Sequence, residues 1–219
     1  MDATNVNAHT DTFRYIALAG NIGAGKSSLT GLLSRHFKWR AYYESVDDNP
    51  YLPDFYEDMR RWSFNLQIYF LSARFRNQKE MFGDRQSFIQ DRTIYEDVEI
   101  FARNLYEMNL MSERDFQNYR ALFTEMSDYL RPPDLLIYLK ANVPTLVRQI
   151  QQRGRDYESS IRIDYLERLN VLYEDWIDRY PYEKLVIETD KLDFVNDKED
   201  LGAVISLIEQ RMFGLFSNS

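Results

Sequence analysis

Short apolar runs separated by longer amphipathic stretches recur along the 219 residues. Phe13–Ala19 is almost continuously apolar and reads as a strand buried on both faces. Four further short runs share that character: "WRAYYE" (Trp39–Glu44), "SFIQD" (Ser87–Asp91), "DLLIYLKA" and "KLVIET". Between them apolar residues return at helical spacing. Leu29, Leu32 and Leu33 mark one face of a helix over Lys26–Phe37, and Trp62, Leu66, Tyr69, Phe70, Ala73 and Phe75 mark another over Arg60–Met81. Further helices are predicted over Thr93–Met108, Ser112–Leu130, Val143–Gln152, Ile163–Tyr180 and Lys198–Phe213. The fourth of these seven opens on Ser112 and Asp115 at capping-box spacing and is stopped by Pro132 and Pro133. "DDNPYLPD", with its two prolines, reads as a turn, and "RGRDYESS" as an exposed loop. Strands alternating with helices imply an α/β fold: five parallel strands covered by helices on both faces, in one domain over residues 13–214.

Composition narrows the setting. Hydrophobic residues make up 44% of the chain, including 16 Tyr and 14 Phe, enough for a real core. A net charge of −8 argues against general binding to nucleic acid or anionic membranes, so any polyanionic ligand must be met by a local positive site. Without Cys there is no disulfide, thiolate metal site or Cys nucleophile. The opening "MDATNVNAHTDT" has neither a basic nor an apolar leader segment and reads as a loose tail over residues 1–12. No apolar run approaches the ~20 residues of a membrane span, and a soluble, cytoplasmic protein is expected.

The chemistry begins where the first strand ends. Gly20-Asn21-Ile22-Gly23-Ala24-Gly25-Lys26-Ser27 fits the phosphate-loop pattern G-x-x-x-x-G-K-[ST], with a strand before it and a helix after it. Glycines allow successive N–H groups to turn inward, and the helix start adds partial positive charge for a nucleotide's phosphates. Lys26 is expected to reach the β- and γ-phosphates and the Ser27 hydroxyl to ligate Mg²⁺. No Gly has Asp three residues before it, and N-K-x-D is absent, so the GTPase switch and base-reading elements are missing. A small-molecule kinase is left.

A kinase acting on a hydroxyl gains from a group that accepts its proton. His9 lies in the tail and His36 at a helix end, which leaves carboxylates. Ligands of parallel sheets bind at the carboxyl ends of strands, where Glu44 and Asp91 stand, with Arg92 next in sequence. Arg92 is placed to pair with Glu44 and keep it ionised.

Six motifs in order, "GNIGAGKS", "YESVDDNP", "FYEDMRRWSFNLQ", "DRTIYEDVEIF", "QQRGRDYES" and "YLERLNVLYEDW", resemble the deoxyribonucleoside kinase family from about Arg14 to Phe213. The resemblance implies a P-loop kinase fold with strand order 2-3-1-4-5 and a short arginine lid near residues 153–160. It implies transfer of phosphate from ATP, with Mg²⁺, to the 5′-hydroxyl of a deoxyribonucleoside, and a homodimer. The donor cradle would comprise Gly20, Asn21, Ile22, Gly23, Ala24, Gly25, Lys26, Ser27 and Ser28, with Asp193 and Phe194 beside the donor adenine. Glu44 resembles the family base and Arg92 the arginine that orients it. Asp91 stands near Mg²⁺ with Ser27, and Arg153 and Arg155 match the lid arginines. Tyr56 and Glu158 match the residues on the sugar 3′-hydroxyl, Gln67 the amide on the base, and Phe101 the ring stacked on it. Asp97 occupies a position that is small in relatives accepting thymidine and Asp in those taking purines or deoxycytidine. This, with the compact "DDNPYL" turn, points to a purine deoxyribonucleoside, deoxyadenosine first, and so to nucleotide salvage. Gln149 departs from the family, which often has an arginine there; Arg148 is adjacent.

Two other readings remain open. A nucleoside monophosphate kinase of similar fold would need extra positive charge at the acceptor end, where Tyr56, Gln67, Asp97 and Glu158 stand instead. A non-catalytic nucleotide-binding regulator would bind nucleotide without turnover.

Overall fold

The computed structural model describes residues 13–44, 49–155, 158 and 161–214. The expected tail over 1–12 and part of the expected lid therefore lie outside the described residues.

At the centre of the sheet is β1 (Tyr15–Gly20), buried along its whole length. It pairs in parallel with β3 (Phe88–Asp91) on one side and β4 (Leu135–Lys140) on the other. The edges are β2 (Arg40–Tyr42) and β5 (Lys184–Glu188), giving the order β2-β3-β1-β4-β5 that was predicted. Side chains alternate across a strand, so one apolar run feeds two cores. Tyr15, Ala17 and Ala19 face a core with Leu71, Tyr119, Tyr138, Tyr173 and Trp176. Ile16 and Leu18 face the other, with Leu29, Leu33, Ile137, Leu139, Val204 and Ile208. Burial on both faces is why β1 and β4 read as unbroken apolar runs.

The helices are α1 (Lys26–Phe37), α2 (Leu52–Glu57), α3 (Met59–Asp84), α4 (Ile94–Glu96), α5 (Arg103–Glu107), α6 (Glu113–Ser127), α7 (Val143–Arg153), α8 (Ile163–Arg179) and α9 (Lys198–Phe213). Ser112 caps α6 by accepting from Asp115 N at 3.1 Å, as its spacing implied. Two predicted elements need correction. The second half of the "DDNPYLPD" turn is the start of α2, because Pro53 falls in its first turn, where a missing N–H costs no hydrogen bond. The single helix expected over Thr93–Met108 is interrupted by a π-helical segment, Asp97–Ala102, between α4 and α5. π-helical turns occur frequently at functional sites, and this one carries Asp97 and Phe101.

Candidate active site

The loop from Gly20 to Lys26 crosses from β1 to α1 at the carboxyl edge of the sheet. Gly23 (φ +84°) and Gly25 (φ +92°) hold left-handed backbone that other residues adopt at a cost. Space is also denied: a Cβ on Gly23 would lie 2.8 Å from Leu146 O, and one on Gly25 would lie 2.9 Å from Phe194 Cζ. Asn21 fastens the loop to α8, donating to Leu166 O at 2.9 Å and to Asn170 Oδ1 at 2.7 Å. Lys26 Nζ donates to Gly20 O and Asn21 O, each at 2.9 Å, and so lies inside the loop. Burial, with Arg92 nearby, lowers its pKa to about 7.

Ser27 Oγ donates to Asp91 Oδ2 at 2.5 Å. Asp91 Oδ1 is buried without a hydrogen-bond partner among the described residues. A hydroxyl and a half-satisfied carboxylate make an oxygen-only donor set that fits Mg²⁺, an ion held by few protein ligands together with substrate phosphates. Among the described residues no group of three or more His, Cys, Asp or Glu is arranged to hold a metal by protein ligands alone.

Glu44 follows β2, and Arg92 follows β3 with φ +69°, its N–H donating to Leu18 O at 2.9 Å. Arg92 Nε lies 3.3 Å from Glu44 Oε1, so the two are brought together. The closer partner of Glu44 is Arg74 of α3, which also places Nε 2.6 Å from Asp97 Oδ2 and Nη1 3.3 Å from Arg92 O. Burial alone would push the Glu44 carboxyl up; Arg92, Arg74 and Lys26 outweigh it and hold Glu44 at about 2. Asp97 is enclosed more deeply, and burial raises it to about 7 against the pull of Arg74. Asp97 is one half of an ion pair with Arg74.

Arg74 and Glu96 are the residues that sequence reasoning missed. Glu96 is fully buried and accepts from Arg92 and Tyr173. For Arg74 a signal existed. Gln67, Arg74 and Gln78 recur at seven and four residues, so three polar side chains interrupt the apolar stripe of α3, and all three are buried.

Two cavities open on this edge of the sheet. One, of about 240 Å³, is lined by Glu44, Tyr56, Gln67, Arg74, Arg92, Asp97, Phe101 and Glu158. Gln67 presents a buried Oε1 with no partner among the described residues, and Arg92 Cζ sits 4.5 Å over the Phe101 ring. The other, of about 570 Å³, is lined by Gly25, Ser28, Arg148, Gln149, Asp193 and Phe194. Gly23, Lys26, Ser27, Arg153 and Arg155 line both. Ile22 borders the smaller cavity, while Ala24 is packed in the core behind the loop. Glu158 accepts from Arg153 Nη2 at 2.6 Å and lies 3.6 Å from Arg155 Nη1.

A loop of phosphate-binding pattern between two adjoining cavities is the arrangement of a P-loop phosphotransferase. The deoxynucleoside kinase family model matches residues 16–212. The chain is 41% identical over 198 residues to a deoxyadenosine/deoxycytidine kinase of Bacillus subtilis, covering 88% of this chain and 90% of that one. It is 41% identical over 206 residues to a deoxyguanosine kinase of Lactobacillus johnsonii, covering 90% and 92%. Among solved structures, the deoxyadenosine kinase from M. mycoides with bound dATP superposes with a TM-score of 0.79 at 29% identity, covering 90% of this chain and 99% of that one. The chain belongs to the deoxynucleoside kinase family and is an enzyme of that kind.

Proposed function

We propose that the protein moves the γ-phosphoryl group of ATP, with Mg²⁺, to the 5′-hydroxyl of a deoxyribonucleoside, deoxyadenosine first, in nucleotide salvage. The observation that carries this is the meeting of the two cavities at Lys26, Ser27, Arg153 and Arg155, with Glu44 and Arg92 across from them. The larger cavity takes the donor, with Phe194 and Asp193 on the adenine side and Gly20–Ser28 around the phosphates. The M. mycoides relative is known with bound dATP, which supports a nucleotide as a ligand of this fold. Ser27 and Asp91 would hold Mg²⁺, which when bound neutralises charge on the phosphate oxygens.

In the smaller cavity Tyr56 and Glu158 hold the sugar, Phe101 stacks on the base, and Gln67 with the Arg74–Asp97 pair reads the base edge. Arg92 keeps Glu44 ionised and aimed at the 5′-hydroxyl. The bond from the 5′ oxygen to the γ-phosphorus forms as the bond from that phosphorus to the bridging oxygen breaks. ADP leaves, and the hydroxyl proton passes to Glu44. A carboxylate held at about 2 is a weak base, which suits a loose transition state where proton transfer comes late. Lys26, Arg153 and Arg155 meet the charge that develops.

A monophosphate acceptor is disfavoured because Arg74 and Arg92 are each already shared between two carboxylates. The test is incubation with ATP, Mg²⁺ and each of the four common deoxynucleosides, following ADP and monophosphate. Deoxyadenosine should be turned over with the highest kcat/KM and thymidine with the lowest. Tight nucleotide binding without turnover of any nucleoside would point to the regulator. A homodimer, read from the family resemblance, should elute at twice the chain mass in light scattering. Among the described residues no helix is long and apolar enough to cross a membrane, and we place the enzyme in the cytoplasm.

A further inference from the structure

Glu96 is fully buried and lines neither cavity, so it touches neither substrate of the proposed reaction. Its carboxylate nevertheless receives five donors. Oε2 accepts from Thr93 N at 2.7 Å and Thr93 Oγ1 at 3.2 Å, closing a capping box on α4. Oε1 accepts from Tyr173 OH at 2.8 Å, from Arg92 Nη1 at 3.3 Å and from Gly20 N at 3.4 Å. Arg92 Nη1 also donates to Tyr173 OH at 2.6 Å, closing a three-membered network. A cap needs only the Oε2 half. The Oε1 half joins two functional elements, the first residue of the phosphate loop and the arginine that faces Glu44.

Arg92 needs such a hold. Its backbone lies in the left-handed region, rare for a residue with a side chain, and persists only when the surroundings over-determine it. Its guanidinium is stretched between two carboxylates, Glu44 at the cavity through Nε and Glu96 behind it through Nη1.

We propose that Glu96 is the positioning residue of the acceptor arginine: it fixes Arg92, directly and through Tyr173, and locks it in register with Gly20 of the phosphate loop. The proposal rests on the phosphotransfer reading above. Glu96→Gln is nearly isosteric but offers one acceptor oxygen, so one half of the network loses its partner. Misplacing Arg92 should lower kcat by about 10- to 100-fold, while deoxynucleoside binding measured by calorimetry changes by less than about threefold. Tyr173→Phe leaves the Thr93 contacts intact, and should lower kcat by about three- to tenfold.

The discriminating experiment is a double-mutant cycle with Arg92→Lys, assayed well below each variant's Tm. In the Arg92→Lys background Glu96→Gln should cost less than about twofold more in kcat. A residue that merely caps α4 would lower Tm, leave kcat at the assay temperature alone and add independently to Arg92→Lys. The proposal is overturned if Glu96→Gln and Tyr173→Phe both keep kcat within about twofold of wild type, or if the cycle is additive. Should Glu96→Gln fail to fold, Tyr173→Phe and its own cycle with Arg92→Lys decide by the same criteria. A crystal structure of either variant tests the positioning role without relying on turnover: Arg92 displaced from Glu44 supports it, and Arg92 still against Glu44 overturns it. Wild-type protein inert toward every deoxynucleoside would instead sink the functional reading.

Discussion

Arg74→Met tests whether the acceptor half of the site is held by one shared cation. The Arg74 side chain is 5% exposed and its partner Asp97 1% exposed, with Nε and Oδ2 2.6 Å apart. Where Asp97 is ionised, removing Arg74 leaves an uncompensated buried charge, which costs about 3–5 kcal/mol. For a chain of this size that is a fall in Tm of about 6–20 °C. The loss should depend on pH, and its sign is fixed. Burial already raises Asp97 to about 7, and without Arg74 it goes higher. A carboxyl whose folded pKa lies above its unfolded value near 4 favours the fold while protonated, and that contribution is lost as pH rises toward the folded pKa. The deficit of Arg74→Met should therefore be smallest in mild acid and grow through neutrality into mild base. Urea unfolding of wild type, Arg74→Met and Arg74→Met/Asp97→Asn across that range measures it. Removing the stranded charge in the double variant should restore at least half of the lost stability and flatten its pH dependence. A single variant within about 1 kcal/mol of wild type at every pH, or a double variant no better than the single, would refute the reasoning.

Glu44→Gln should lower kcat by about 10²–10⁴ with little change in nucleoside Kd; turnover near wild type removes the base assignment. Gly25→Ala combines φ +92° with a Cβ 2.9 Å from the Phe194 ring, and should weaken ATP binding at least about tenfold by calorimetry while β1 and the sheet persist in far-UV spectra. Lys26, lowered to about 7 in the free protein, should regain its proton when phosphates bind. Nucleotide affinity should then fall as pH rises above 7, with about one proton taken up in calorimetry across buffers of different ionisation enthalpy; no uptake would contradict it.

How far these features could be read in the sequence depended on whether their cause was local. The loop glycines were legible because backbone angle and crowding at Gly23 and Gly25 are satisfied by that residue type alone. β1, β3 and β4 were legible as strands because they are buried on both faces, while their order came from the family resemblance; β2 is shorter than its run implied, its three residues being exposed or half-buried. α2 was hidden by Pro53, a breaker inside helices but not in a first turn. The π-helical segment left no trace, since one extra residue in a turn alters no residue type. Asp97 was picked out, yet its meaning changed, because the partner that defines it lies on another helix.

The pairing of Asp97 with Arg74 also bears on how the whole site selects its acceptor. Asp97, Arg74, Glu44, Arg92 and Glu96 form an unbroken row of alternating charges in which every arginine faces two carboxylates. Three carboxylates against two guanidiniums give the row no net positive charge, whether Asp97, raised to about 7, is ionised or protonated, whereas Lys26, Arg153 and Arg155 stand on the other side. A phosphorylated acceptor would find no net positive charge to meet it in the first half, while a neutral sugar hydroxyl needs none. A polyanionic donor would be drawn to the second half, a local positive site in a chain of net charge −8. On the proposed function, the direction of transfer follows from the placement of charge along the sheet edge. Glu44 sits where the row meets the loop, ionised because both neighbours in the row and Lys26 beyond it are cations.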